Sequence, residues 1–179
     1  MSDESRPEGV MAALGDAGPC PAVEHNGTRW TVGHPTQRAK AELEKLVVEV
    51  SQATLDELKP MLPRAKWLEK EAKFDAILFA RQWQTWGSLW SEVCNGPLSY
   101  PLFLLSLMRP HHPEATVRDA QSLWLEANRA CRTALVMVVP GFFDLLTAFL
   151  PAEEGDRRKQ AEAMKAEMLA SLERPTLTA

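Results

Sequence analysis

The sequence predicts a mainly α-helical protein: a compact helical bundle with a short N-terminal β-hairpin and flexible termini. Three observations carry this. Apolar residues recur at helical spacing from Pro35 onward. Helix starts and stops, marked by Thr, Pro and Asn-Gly, fall between those segments. Asn26-Gly27 sits between two short extended stretches, and both residues tolerate the positive φ that a type I′ hairpin turn requires. The chain has 179 residues, of which 45% are hydrophobic, enough for one core of ordinary domain size. Three regions follow: a flexible arm over 1–21, a helical domain over 22–151 with its hairpin at about 23–32, and a polar linker with a C-terminal amphipathic helix over 152–179.

Residues 1–21 are rich in Gly, Pro, Ala and charge and lack helical period. In the hairpin, Val23 and His25 oppose Trp30 and Val32; a lone hairpin is marginal and should lean on the helices. The first helix starts near Pro35 and places Ala39, Leu43, Leu46, Val47 and Val50 on one face. Thr54 and Glu57 form a capping-box pattern that opens a second, short helix, ended by Pro60 and Pro63. A long helix is expected from about Arg64 to Cys94, with Gly87 permitting a break or kink. On it, Phe79, Trp83, Trp86 and Trp90 step by four, three and four, and so share one stripe.

Asn95-Gly96 ends that helix, and Pro97 opens an apolar one through LSYPLFLLSLMR. After the connector PHHPEA, Thr116 reads as an N-cap with Asp119 three residues on. The helix expected over Val117–Val139 has a seam of Ala120, Trp124, Ala127, Cys131, Ala134 and Val138, narrow enough for close approach of another helix, with Trp124 buried in it. Thr133–Leu150 is nearly long enough for a membrane span. The expected reading is instead two buried helices meeting at a Pro140-Gly141 corner, with Asp144 opposing a bilayer position. The last helix, about Arg157 to Leu172, has only Ala161, Met164, Met168 and Leu172 as its apolar line.

Composition excludes several functions. The net charge is −4 and no Lys/Arg cluster exists, so no nucleic-acid partner is expected. Cys20, Cys94 and Cys131 are odd in number and far apart, which fits a reducing, cytoplasmic setting. Residues 1–7 contain no apolar run, so no signal peptide is expected there. His111 and His112 are adjacent and would point about 100° apart on a helix. There is no CxxC, HxxxH or HExxH spacing. No nucleophile elbow or phosphate loop is present either. The expectation is a non-enzymatic protein without metal or cofactor.

What remains is protein binding. Phe79, Trp83, Trp86 and Trp90 read either as core or as a groove for a partner helix. Met164, Met168 and Leu172 read either as a solvated helix face or as a docking face for a partner or a second copy. These seven residues are the candidate contacts.

Two segments, HNGTRWTV and LFLLSLMRPHHPEATVRDAQSL, carry a family likeness. A short hairpin, a polar helix, an apolar helix, a His-Pro turn and a threonine-capped acidic start follow one another in this order. Over roughly 23–150 this resembles the assembly chaperones of long-tailed phages. The resemblance implies binding of a protein partner, a long helical tape-measure protein or else the tail tube protein, and no catalytic residues. The alternatives are a structural subunit buried in a larger particle or homo-oligomer, and a small enzyme whose site assembles in space.

One outcome tests the fold class directly. Far-UV circular dichroism should be dominated by helix, with at most one hairpin's worth of strand; a strand-dominated spectrum would overturn it.

Overall fold

A computed structural model describes residues 19–148, 150 and 154–174. Most of the arm expected over 1–21 and the start of the expected linker lie outside the described residues.

The hairpin forms where the turn pair predicts it. Strands β1 (Ala22–His25) and β2 (Thr28–Thr31) run antiparallel, with Val23 opposite Trp30. Asn26 and Gly27 hold φ of 48° and 75°, as a type I′ turn requires. The chain leaves β2 past Gly33, whose N–H donates to Leu107 O at 2.9 Å. A Cβ at Gly33 would sit 2.7 Å from His111 Nε2, so only glycine fits this approach.

Seven helices follow among the described residues: α1 (Gln37–Leu58), α2 (Arg64–Phe79), α3 (Ser88–Cys94), α4 (Ser99–Met108), α5 (Val117–Glu126), α6 (Asn128–Ala148) and α7 (Gly155–Glu173). Helix α4 lies at the centre: every residue from Pro101 to Met108 is buried. Helix α1 packs on it with Leu43, Leu46 and Val47, and α5 with Ala120 and Leu123. The edge-to-face pair Phe103–Phe142, 4.4 Å between centroids, joins α4 to α6. Thr116 and Asp119 form the expected capping box at the start of α5.

Four helix boundaries differ from expectation, each for a local reason. Helix α1 runs unbroken through Thr54, whose hydroxyl donates back to Val50 O at 2.9 Å instead of capping a new helix. No Gly or Pro interrupts residues 37–58, so nothing forces a break there.

The single helix expected over 64–94 is two. Arg81 donates to Leu78 O and Gln82 to Ile77 O, closing α2 in a Schellman pattern with Arg81 at φ 54°. The chain then doubles back until Gly87 lies against Gln82, where a Cβ would stand 2.1 Å from the Gln82 carbonyl oxygen.

The helix expected over 117–139 breaks at Ala127, because the Asn128 side chain donates to Trp124 O at 2.9 Å and competes with the backbone ladder. Trp124 is half-buried, stacked on Tyr100 at 4.8 Å, not enclosed in the seam as expected.

Pro140-Gly141, finally, makes no corner. Cys131, Ala134, Leu135, Val138, Val139, Phe142, Phe143 and Leu146 form one continuous buried stripe across it. Keeping that stripe in the core outweighs the one backbone bond that proline forfeits. By length and composition α6 is apolar enough to cross a membrane, and its apolar stripe faces this core.

The loop between α2 and α3 is held to α1 by a buried carboxylate. Glu44 Oε1 accepts from the Thr85 backbone N–H (2.8 Å), the Thr85 hydroxyl (2.6 Å) and Lys40 Nζ (2.7 Å). Burial pushes the Glu44 carboxyl up, but the hydrogen bonds from Lys40 and Thr85 outweigh it and hold the group below its ordinary range.

Glu44→Ala should therefore cost about 1.5–3 kcal/mol in denaturant unfolding, the range for a hydrogen bond to a charged group. The sign with pH follows from the lowered value. The latch contributes fully above the ordinary carboxylate range of about 4.3 and weakens as pH falls below it, so the stability gap between wild type and Glu44→Ala should shrink in acid.

Candidate functional site

The structure distributes the expected aromatic stripe instead of lining it up. Phe79 ends α2 and is 93% exposed. Trp83 and Trp86 fall in the loop and are half-buried; Trp90, on α3, is 3% exposed. Trp86 and Trp90 pack as a tilted pair at 5.8 Å. The loss of the helix over 80–87, with Arg81 and Trp86 at positive φ, separates Phe79 from the three indoles. One residue of the four thus faces solvent and three turn toward the core.

Helix α7 lies along α6. Leu172 is buried, and Met164 and Met168 are half-buried. Met164 and Met168 join Cys94, Tyr100 and Phe143 around a cleft of about 360 Å³. Two polar contacts fix the helix. The Arg132 guanidinium donates to the carbonyls of Ser171, Leu172 (2.8 Å) and Arg174 (2.6 Å), the orphan acceptors at the helix C-terminus. Lys165 Nζ meets Asp144 Oδ1 at 2.8 Å, and this bond raises the Lys165 pKa. Burial pushes the Cys94 and Cys131 thiols up to about 12 and about 11, far from nucleophilic thiolate.

A third place, which sequence reasoning missed, lies along β1. Val32 N–H donates to Pro21 O at 2.8 Å, which fixes the hydrogen-bonded pairs of the hairpin. Bonding alternates along an antiparallel pair, so Val23–Trp30 and His25–Thr28 carry ladder bonds while Ala22–Thr31 and Glu24–Arg29 do not. Thr31 agrees: its N–H points away from β1 and donates to His112 Nε2 at 2.9 Å. On the opposite edge Ala22 and Glu24 direct their N–H and C=O groups away from β2. Among the described residues no hydrogen bond reaches them.

This edge borders an open groove of about 780 Å³ whose far wall is the first half of α6, with Ala130, Thr133, Ala134 and Met137. Asn128, on the groove wall, has a buried Oδ1 without a donor.

At one end of the groove His25 Nε2 lies 3.3 Å from Glu126 Oε2, 3.4 Å from Ser122 Oγ and 3.0 Å from Asn26 Nδ2. A nucleophile relay needs its hydroxyl and its carboxylate on different ring nitrogens. Here all three partners share one, and Ser122 donates to Glu126 itself at 2.9 Å. The cluster ties the hairpin to α5 and has no relay geometry. His111 is exposed and His112 is taken by Thr31; among the described residues no three His, Cys, Asp or Glu side chains gather as metal ligands would. Compared with protein-family models, curated proteins and solved structures, the chain matches none.

The Arg132 contacts give a direct test. Arg132→Ala should raise amide exchange in the last turn of α7 while leaving α4 protected, with a stability loss of about 1.5–3 kcal/mol. Unchanged exchange at Ser171–Glu173 would show that apolar contact alone docks the helix.

Proposed function

We propose that this chain is a non-enzymatic polypeptide-binding protein that takes an extended segment of its partner along the free edge of β1. The single observation that carries the reading is the pair of outward-facing backbone sets at Ala22 and Glu24, standing over the groove beside α6. Unpaired strand edges are templates for a further strand. β-Strand addition draws its affinity from such main-chain bonds and its selectivity from pockets that receive alternate side chains. The small residues Ala130 and Ala134 leave room for those side chains, and Met137, 63% exposed, offers an adaptable apolar surface.

Within this reading, the likeness to phage tail assembly chaperones names a client class: an elongated tape-measure protein, or a tail tube subunit, held before assembly in the host cytoplasm. A second reading, a subunit built permanently into a larger particle, is favoured by the exposed Phe79.

The test uses a substitution that touches only the edge. Glu24→Pro removes one outward N–H and leaves the hairpin's own bonds intact, since proline is tolerated at the open side of an edge strand. Wild type and variant are compared in pull-downs against the products of neighbouring genes, with amide exchange at Ala22 and Glu24 followed on the captured complex. Capture by wild type alone, with both amides protected, is expected. Equal capture by both proteins, or unprotected amides in the complex, would remove the β1 edge from the function.

A further inference from the structure

Two histidines tie the hairpin to the helical body, one at each strand, and the two ties answer a proton in opposite ways. At β2 the Thr31 backbone N–H donates to His112 Nε2 at 2.9 Å. A ring nitrogen accepts only while it carries no proton, so this bond requires the neutral imidazole with its one proton on Nδ1. Trp30 packs against the same ring, 5.3 Å between centroids, and only 19% of the His112 side chain is exposed. At β1 the order is reversed. His25 Nε2 lies 3.3 Å from Glu126 Oε2, a contact that a protonated ring strengthens.

Once His112 takes a second proton, its Nε2–H faces the Thr31 N–H, and two donors stand where one bond was. The other ring nitrogen decides which way the ring goes. Nδ1 lies 3.7 Å from Glu114 Oε1, so the carboxylate draws the charged ring toward the connector and away from the strand. Arg109, engaged by Glu42 and Glu49, is the next charge on that connector, and His111 stands beside His112 in it. Arg29 and His34 are the charged and titratable groups on β2 and its exit.

The loss is confined to one point. Val32 N–H donates to Pro21 O at 2.8 Å and Gly33 N–H to Leu107 O at 2.9 Å, bonds between backbone groups that no proton in this pH range removes. Val23 and Val32 stay buried beneath them. The hairpin therefore remains attached while its outer strand is released at Thr31.

We infer that the Thr31–His112 bond is a proton-released clasp: acid frees the outer edge of β2 at Thr31, while the His25–Glu126 contact keeps β1 on α5. The inference does not rest on the β1 reading. Where β1 holds an extended segment, the clasp sets how firmly the strand behind it is fixed.

Amide exchange on the free, full-length chain tests it, with the imidazole nitrogens followed by NMR. Near neutral pH, His112 should show the Nδ1–H tautomer with Nε2 as acceptor. Between about pH 7.5 and about pH 5, the span over which histidine changes its charge, the protection factor at Thr31 should fall about fivefold or more, the worth of one hydrogen bond. Gly33 should keep its protection. His112→Gln offers an amide oxygen in place of Nε2 and takes no proton, so Thr31 should stay protected in acid. His25→Gln should leave the fall at Thr31 unchanged. An Nε2–H tautomer at neutral pH, a Thr31 still protected in acid, an equal loss in His112→Gln, or a fall that vanishes in His25→Gln would overturn the inference. Capture at the β1 edge is scored near neutral pH and on a complex, so the two readings fail independently.

Discussion

The fold depends on the need to bury α4. Its segment from Pro101 to Met108 is apolar around its circumference except at Ser106, and a helix of that kind has no side that water can accept. It must therefore be wrapped, and the neighbours divide the circumference among them: α1, α3 and α5 by direct packing, α6 through Phe142 on Phe103. Even the hairpin is placed by this demand, since Gly33 reaches the Leu107 carbonyl where the α4 backbone runs out of helical donors. Ser106, the one polar side chain inside the segment, donates to Phe103 O at 2.8 Å and leaves no unsatisfied group at the centre.

Several features governed by near neighbours were legible in the sequence, although the Thr54 capping signal and the Asn128 break were misread. Asn26-Gly27 made its turn, Thr116 and Asp119 made their capping box, and Asn95-Gly96 ended α3, because each signal acts within a few residues. Features governed by distant contacts were not. Thr85 bonds to Glu44 across 41 residues, and that latch stabilises a loop where the local spacing reads as helix. Arg81 and Trp86 take positive φ without being glycine, which no propensity scale anticipates. Pro140 failed to break α6 because the stripe on either side of it belongs to one core face, a fact about packing rather than about proline.

The candidate site shares this division. Phe79, Trp83, Trp86 and Trp90 were grouped on the assumption of one continuous helix, and the grouping dissolved with the helix. Met164, Met168 and Leu172 kept their shared face, since α7 formed as the spacing indicated. The β1 groove had no sequence signal beyond the hairpin itself. It arises because α6, more than a hundred residues later, runs beside that strand. The exposed side of α2 was likewise hidden, since only the fold shows that Trp67 and Phe74 are the buried side.

The Arg132 contacts bear on how the chain leaves the ribosome. Arg132 is made early in α6, and the carbonyls that receive it belong to the end of α7, about 40 residues later. At typical synthesis rates of about 5–20 residues per second, several seconds separate the two. During that interval an apolar helix of 21 residues stands without its cover and with an unmet guanidinium on its flank. The last turn of α7 thus gains its clamp from a side chain made long before it, and the order of synthesis leaves that clamp waiting for its carbonyls.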